Sequence, residues 1–291
     1  MNFSKLALGT ATFGMEYGAF NPSGKVPFEQ VGHILNLAEE NNINSLDTAI
    51  AYGDSEVILG KLGVSKWKIT SKIPQFPSST ESIEKWIHGE VCGSLERLGI
   101  SQLYGLLLHK PSDLMGINGK QIWLALQQLK RSGLVKKIGY SVYETSELDV
   151  YWSKFKPDIV QAPLSIVDRR LNQSGWLTKL NSNGCEVHAR SIFLQGLLLT
   201  EYHHMPDYFS SWKSLFSNFH QWLLTTGLTR LEACLSFALS QQEVSSVIVG
   251  VNSLKQLEDI LSNNKWTNYD FPEHLAVQDP NLLNPSNWRI L

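Results

Sequence analysis

One repeated alternation constrains this chain more than any other feature. Short runs rich in Leu, Ile and Val recur eight times, and longer segments of helical period lie between them. Such a run reads as a strand covered on both faces, and the helical segments read as crossovers, so the pattern implies a parallel sheet with helices outside it. The runs are Leu6 to Leu8, Ile43 to Leu46, Trp67 to Ser71, Tyr104 to Leu108, Lys137 to Ser141, Ile159 to Ala162, Glu186 to Ser191 and Ser246 to Val249. Seven helical stretches separate them, and Ser253-x-x-Gln256 opens an eighth helix. Eight βα units with no linker or composition break predict one (β/α)8 TIM barrel domain over residues 1–291. A doubly wound open sheet also accommodates the alternation. It gives no reason for eight units, however, and no GxGxxG follows any of the runs.

Local patterns agree with this reading. After Pro27, Val31, Ile34, Leu35 and Ala38 fall at i, i+3, i+4 and i+7, the stripe of a helix that covers a sheet. From about Thr80 to Leu98, Ile83, Trp86, Ile87, Val91, Ser94, Leu95 and Leu98 share one side, with Ser78-x-x-Glu81 as a capping box. Thr229-x-x-Glu232 is another. Two segments exceed what a barrel needs, Ile192 to Leu228 and Trp266 to Leu291. The first carries Phe209, Trp212, Leu215, Phe216, Phe219, Trp222 and Leu223 at helical spacing, which predicts an extra helix. The tail has Pro272, Pro280 and Pro285 but also Phe271, Leu282, Leu283, Trp288 and Ile290, and is expected to lie ordered over the C-terminal face.

Composition narrows the partners. With 43% hydrophobic and 18% charged residues and a net charge of -2, there is no basic excess to attract nucleic acid or anionic lipid. MNFSKLALG lacks a signal-peptide core, and no apolar run reaches the roughly 18 residues that span a bilayer, so no membrane association and a cytoplasmic location are expected. Cys92, Cys185 and Cys234 read as buried free thiols. The eight histidines show no HxH or HExxH spacing, so no metal is expected.

In a (β/α)8 barrel the reacting groups come from the C-terminal ends of the strands. Asp47 ends the second run and Tyr52 follows in the next loop, Lys72 ends the third run and His109 the fourth. Singly, each has an ordinary explanation as a cap, a packed ring, a rim charge or a structural hydrogen bonder. Their coincidence at consecutive strand ends is the signal.

DTAIAYGDSEVILG, ITSK and LLLHKP resemble the catalytic segments of the aldo-keto reductase family, and LALGTATFG, IGYSVYE, VQAPLSIVDRR, ARSIFLQGLLL and VIVGVNSLKQLEDIL match family segments in order from Leu6 to about Leu261. The likeness is to bacterial members lacking the N-terminal hairpin that plugs the barrel bottom in many relatives. It implies reduction of a small-molecule carbonyl by NADPH, with NAD also admitted. In that chemistry Tyr52 is the proton donor, Lys72 lowers its pKa, Asp47 holds Lys72, and His109 orients the carbonyl. Ser141 and Gln161 match the pair that holds the nicotinamide carboxamide. Arg190, Ser191, Gln195, Gly196 and Leu197 fall in the matching segment after the seventh run. Gly250, Ser253, Gln256 and Asp259 match the part that holds the adenosine end, where a helix N-terminus favours phosphate.

The chain departs from the family pattern at Val142, Arg190 and Ile260, and Gln256 stands where an arginine commonly grips the 2′-phosphate, leaving Lys255 as a candidate for that charge. Arg190 is expected to reach a phosphate or a substrate anion, or else to pair at the rim with a carboxylate such as Asp168. A Schiff-base lyase using Lys72 and an NADPH-binding redox sensor with little turnover are the competing functions. Substrate choice is expected to reside in Gly14 to Pro27, the region after His109, Ile192 to Leu228 and the tail, and sugar-derived ketones are admitted beside simple aldehydes.

Overall fold

Eight parallel strands close on themselves in chain order, β1 pairing with both β2 and β8. They are β1 Leu6–Gly9, β2 Ser45–Asp47, β3 Lys68–Ile73, β4 Leu103–Leu108, β5 Val135–Ser141, β6 Ile159–Pro163, β7 Glu186–Arg190 and β8 Ser246–Gly250. This computed structural model describes residues 3–77, 82–262 and 269–288. The strands are buried along most of their length, as expected where helices cover the outside of a closed sheet. The eight-run reading thus holds, with shifts at the edges. Ile43 packs just before β2, and β3 runs on to Ile73, so Lys72 lies inside the strand and not at its end.

The helix Phe28–Glu40 follows Pro27 and buries Val31, Ile34, Leu35 and Ala38, the stripe that its spacing predicts. Ile83–Leu98 buries Ile87, Val91, Ser94, Leu95 and Leu98, and Ser82 caps it by accepting from the Lys85 N–H. The capping box expected at Ser78 and Glu81 lies outside the described residues, as do Trp266 and Ile290. At Thr229 the box is present: Thr229 Oγ1 accepts from the Glu232 N–H at 3.2 Å and Glu232 Oε2 from the Thr229 N–H at 2.7 Å. The extra helix after β7 spans Lys213–Thr226 and buries Leu215, Phe216, Phe219 and Leu223.

The tail packs on loops of the C-terminal face. Trp288 meets Phe209 edge-on with centroids 5.0 Å apart, the Val277 N–H donates to the Val167 carbonyl at 2.9 Å, and Arg169 donates to the carbonyls of Phe271 and Pro272. No helix among the described residues is long and apolar enough to cross a membrane. Cys185 and Cys234 are buried, and burial pushes both thiols up to about 12. Cys92 corrects the expectation of three buried thiols, because it is only half-buried, with His88 Nδ1 3.5 Å away.

Candidate active site

The C-terminal ends of the strands ring one mouth, and close packing of the first two loops shapes it. A Cβ on Gly14 would fall 1.8 Å from the Tyr52 carbonyl oxygen and 2.3 Å from the Ser55 nitrogen, so only glycine lets the loop after β1 touch the loop that carries Tyr52. Gly53 meets it from the other side with φ +54°. The next residues tie this loop down. Ser55 Oγ lies 2.8 Å from Thr10 Oγ1, and buried Glu56 accepts from Ser71, Ser94 and Arg97, fastening the helix Ser55–Leu62 to β3.

β3 in turn carries Lys72 beneath the mouth. Its Nζ donates to Asp47 Oδ2 at 2.7 Å and to the Thr48 carbonyl at 2.9 Å, and the side chains of the pair are only 1% and 8% exposed. Asp47 Oδ1 accepts from Gln161 Nε2 at 2.7 Å, and Ser141 Oγ donates to Gln161 Oε1 at 3.3 Å. The register explains that chain, since Ser141 and Gln161 are directly paired on β5 and β6. Lys72 Nζ lies 5.1 Å from the centre of the Tyr52 ring, and His109 meets that ring edge-on at 5.8 Å. All four residues singled out by strand-end position therefore come together, with Gln161 joined to them.

Burial and charge compete at Tyr52 and His109. The Tyr52 hydroxyl is held above the ordinary tyrosine value, first by burial and then by the negative charge of Asp47, with Arg190 opposing. The net direction is upward even though the Lys72 ammonium lies 5.1 Å from the ring, because burial and the Asp47 charge oppose it. His109 is pushed down to about 4, chiefly by burial and next by Lys72, against the pull of Asp47. Its proton is thus bound more weakly in the folded chain than in the unfolded one. Between about pH 4 and the ordinary histidine value the unfolded chain binds more protons, so the neutral imidazole favours folding above that window and the advantage is lost as pH falls through it. The expected result is a His109 ring NMR titration midpoint near 4, absent from His109→Gln. A midpoint near the ordinary value would refute the burial argument.

A cavity of about 920 Å³ opens from these residues. Its wall runs from Asp47, Tyr52 and Gln161 past Arg190, Ser191, Gln195 and Gly196 to Gly250, Gln256 and Asp259. Most residues expected to contact a dinucleotide thus face one continuous space. Ser141 stands behind Gln161, and Leu197 is buried in the core. Ser253 caps the helix Leu254–Ser262, where its Oγ accepts from the Gln256 N–H at 3.2 Å. The Gln256 side chain reaches back to the N–H of Asn252, at 2.8 Å, and not to that of Ser253. Two backbone donors of the expected phosphate site are therefore already engaged.

The segment after β7 covers the cavity with a strained turn. Ser191, Leu194 and Gln195 have φ of 60°, 47° and 52°, a region that non-glycine residues rarely adopt. Gln195 Oε1 accepts from the Ala19 N–H at 3.0 Å, joining this segment to the loop after β1. Among the described residues the wall draws on these two loops, the strand ends with the loop carrying Tyr52, the start of the helix before β8 and the turn after β8, and takes nothing from the region after His109 or from the tail.

Arg190 also departs from one of its expected roles. Asp168 is taken by Arg170 at 2.8 Å, which Glu144 also contacts, so among the described residues Arg190 has no carboxylate at the rim. The Arg190 guanidinium instead lies 4.2 Å from the centre of the Tyr143 ring, donates to the Val142 carbonyl at 2.9 Å and touches Ser191 Oγ at 3.1 Å. Wall residues that the sequence did not mark as site residues include Tyr17 and Arg230. Tyr17 sits with its ring 6.5 Å from that of Tyr52, and Arg230 begins the helix Arg230–Ser240. A group able to share a metal ion, Glu201, His203 and His204, is exposed at the rim and includes none of the four central residues.

The sequence model of the Aldo/keto reductase family matches residues 5–274. The chain belongs to that family. Curated relatives include the NADH-specific methylglyoxal reductase of Escherichia coli, 29% identical over 219 residues, which are 68% of this chain and 66% of that one. The match thus spans a little under two thirds of that relative. The L-galactose dehydrogenase of Arabidopsis thaliana is 27% identical over 235 residues, 75% of this chain and 72% of that one. Among solved structures, the holo form of an aldo-keto reductase from Bacillus halodurans superposes with a TM-score of 0.72 at 20% identity, covering 91% of this chain and 88% of that one. At that identity the superposition speaks for the barrel alone. This aldo-keto reductase chain shares the family's segments over nearly all its described length.

Proposed function

We propose that this aldo-keto reductase reduces an aldehyde or ketone to an alcohol with NADPH or NADH, using Tyr52, Lys72, Asp47 and His109. The observation that carries the reading is the buried Lys72–Asp47 pair at 2.7 Å beneath Tyr52, with His109 against the same ring. A dinucleotide suits the site. The cavity is long enough to run from Tyr52 to Gln256, the Gln161 amide faces it beside Asp47, and two arginines line its wall. Gln161, Ser191, Gln195, Gly250 and Gln256 would hold the cofactor, with Ser141 fixing Gln161.

When bound, the reduced nicotinamide supplies hydride to the carbonyl carbon. Tyr52 donates its hydroxyl proton to the oxygen on which negative charge develops. Burial keeps that phenol protonated at neutral pH, so the donor form is the resting form. The charge left on the phenolate is met by the Lys72 ammonium, which Asp47 and the Thr48 carbonyl hold in place. His109, neutral above about pH 4, orients the carbonyl by hydrogen bonding without adding a second cation beside Lys72.

A Schiff-base role for Lys72 fits poorly, because its Nζ is committed to Asp47 Oδ2 and the Thr48 carbonyl in the barrel interior. The test is oxidation of NADPH and NADH by the purified chain against methylglyoxal, simple aldehydes and sugar-derived ketones. Turnover with at least one carbonyl is expected. Tight cofactor binding without turnover would replace the reading with the sensor, and borohydride trapping of substrate on Lys72 would replace it with the lyase.

A further inference from the structure

Arg230 is a charged side chain with nothing to hold. It is half-buried on the cavity wall, its guanidinium carbon 5.5 Å from the centre of the Phe219 ring. None of its N–H groups meets an acceptor and no carboxylate pairs with it among the described residues, and its Nη1 is buried without a partner. A guanidinium stays charged under all ordinary conditions, and a partly desolvated cation lacking acceptors disfavours folding unless something else supplies them. A ligand in the cavity is the available source.

Its place in the wall says which part of a ligand. Arg190 and Arg230 are the two Lys or Arg side chains on the described wall. Arg190 acts at the catalytic end, where its charge is felt by Tyr52, His109 and Tyr17, and its guanidinium is already engaged by Val142 and Ser191. Arg230 instead senses Glu201 and Cys234. The candidates near the turn after β8 are used or neutral. Gln256 carries no charge and holds the Asn252 N–H, while Lys255 is exposed, absent from the wall and paired with Asp259 at 2.8 Å.

We propose that Arg230 binds the 2′-phosphate of NADPH, supplying from the helix before β8 the charge that the turn after β8 lacks. The assignment rests on the dinucleotide reading above. It is preferred to Lys255, whose exposed ammonium is absent from the wall and already paired with Asp259. The planar fork of a guanidinium suits a phosphate with two parallel charge-assisted hydrogen bonds.

Binding to the full-length protein separates the outcomes, read by tryptophan fluorescence with NADPH, NADH, adenosine 2′,5′-bisphosphate and AMP. Arg230→Met is expected to weaken NADPH and the bisphosphate by roughly 10- to 100-fold while NADH and AMP stay within about twofold of wild type. Arg230→Lys should fall between, since it keeps the charge and loses the fork. The ligand-free melting temperature of Arg230→Met should not drop, because the substitution removes an unpaired buried cation. Equal weakening of NADPH and NADH would overturn the 2′-phosphate in favour of the pyrophosphate. Unchanged binding of all four probes, in a protein whose wild type binds NADPH, would overturn any role for Arg230. A wild type that binds neither dinucleotide would refute the functional reading itself.

Discussion

Tyr52→Phe is expected to lower turnover by about 10²–10⁴-fold, the range that a positioned acid–base group contributes, while leaving cofactor affinity near that of wild type. The two halves of this expectation have separate causes. The hydroxyl faces the catalytic end of the cavity, whereas Gln195, Gly250 and Gln256 line the stretch expected to hold the dinucleotide. Among the described residues nothing is hydrogen-bonded to that hydroxyl, and the ring contacts of Tyr52 with His109 and Tyr17 are ones that phenylalanine preserves. The loop is set by Gly14, Gly53 and Ser55, which are untouched by the change. The loss should therefore appear in kcat, measured under saturating cofactor, and the melting temperature should hardly move. More than half the wild-type kcat would remove Tyr52 from the role of donor.

That four residues converge was legible because barrel strands deliver their C-terminal ends to one face, so order along the chain converts into position around a ring. Asp47, Tyr52, Lys72 and His109 needed no more than that. Their protonation was not legible, because it depends on competing distances. Lys72 is near enough to Tyr52 to be its counter-charge, yet Asp47 is nearer to Lys72 and raises the phenol that Lys72 was expected to lower. Arg190 shows the same limit. Asp168 looks available to it in sequence, but Arg170, two residues on from Asp168, turns back and takes that carboxylate. Arg230 was hidden for another reason: inside a capping box it reads as an ordinary first-turn residue, and only the placement of the helix against the cavity leaves its guanidinium without an acceptor. The cavity wall itself comes largely from loops whose turns, such as Ser191 to Gly196, follow no period.

Lys72→Met should abolish reduction and also destabilise the fold, and adding Asp47→Asn should restore much of the stability without restoring activity. Removing one partner of a buried ion pair leaves the other uncompensated, which typically costs about 3–5 kcal/mol. Asp47 in Lys72→Met would be that orphan, with Gln161 as its remaining side-chain donor. The asparagine of the double variant carries no charge, and its amide oxygen can still accept from Gln161 Nε2, so no buried charge is left to desolvate. Activity follows a different rule. Once Lys72 is gone the phenolate has lost its counter-charge, and Asp47 has nothing left to position, so its removal should cost little more. The cycle of two single variants and the double, read by denaturant unfolding and by kcat, should thus show strong coupling in both quantities. Independent, additive losses in stability would mean that the 2.7 Å contact is not an ion pair of consequence, and multiplying losses in kcat would mean that Asp47 acts on the reaction by a route that does not pass through Lys72.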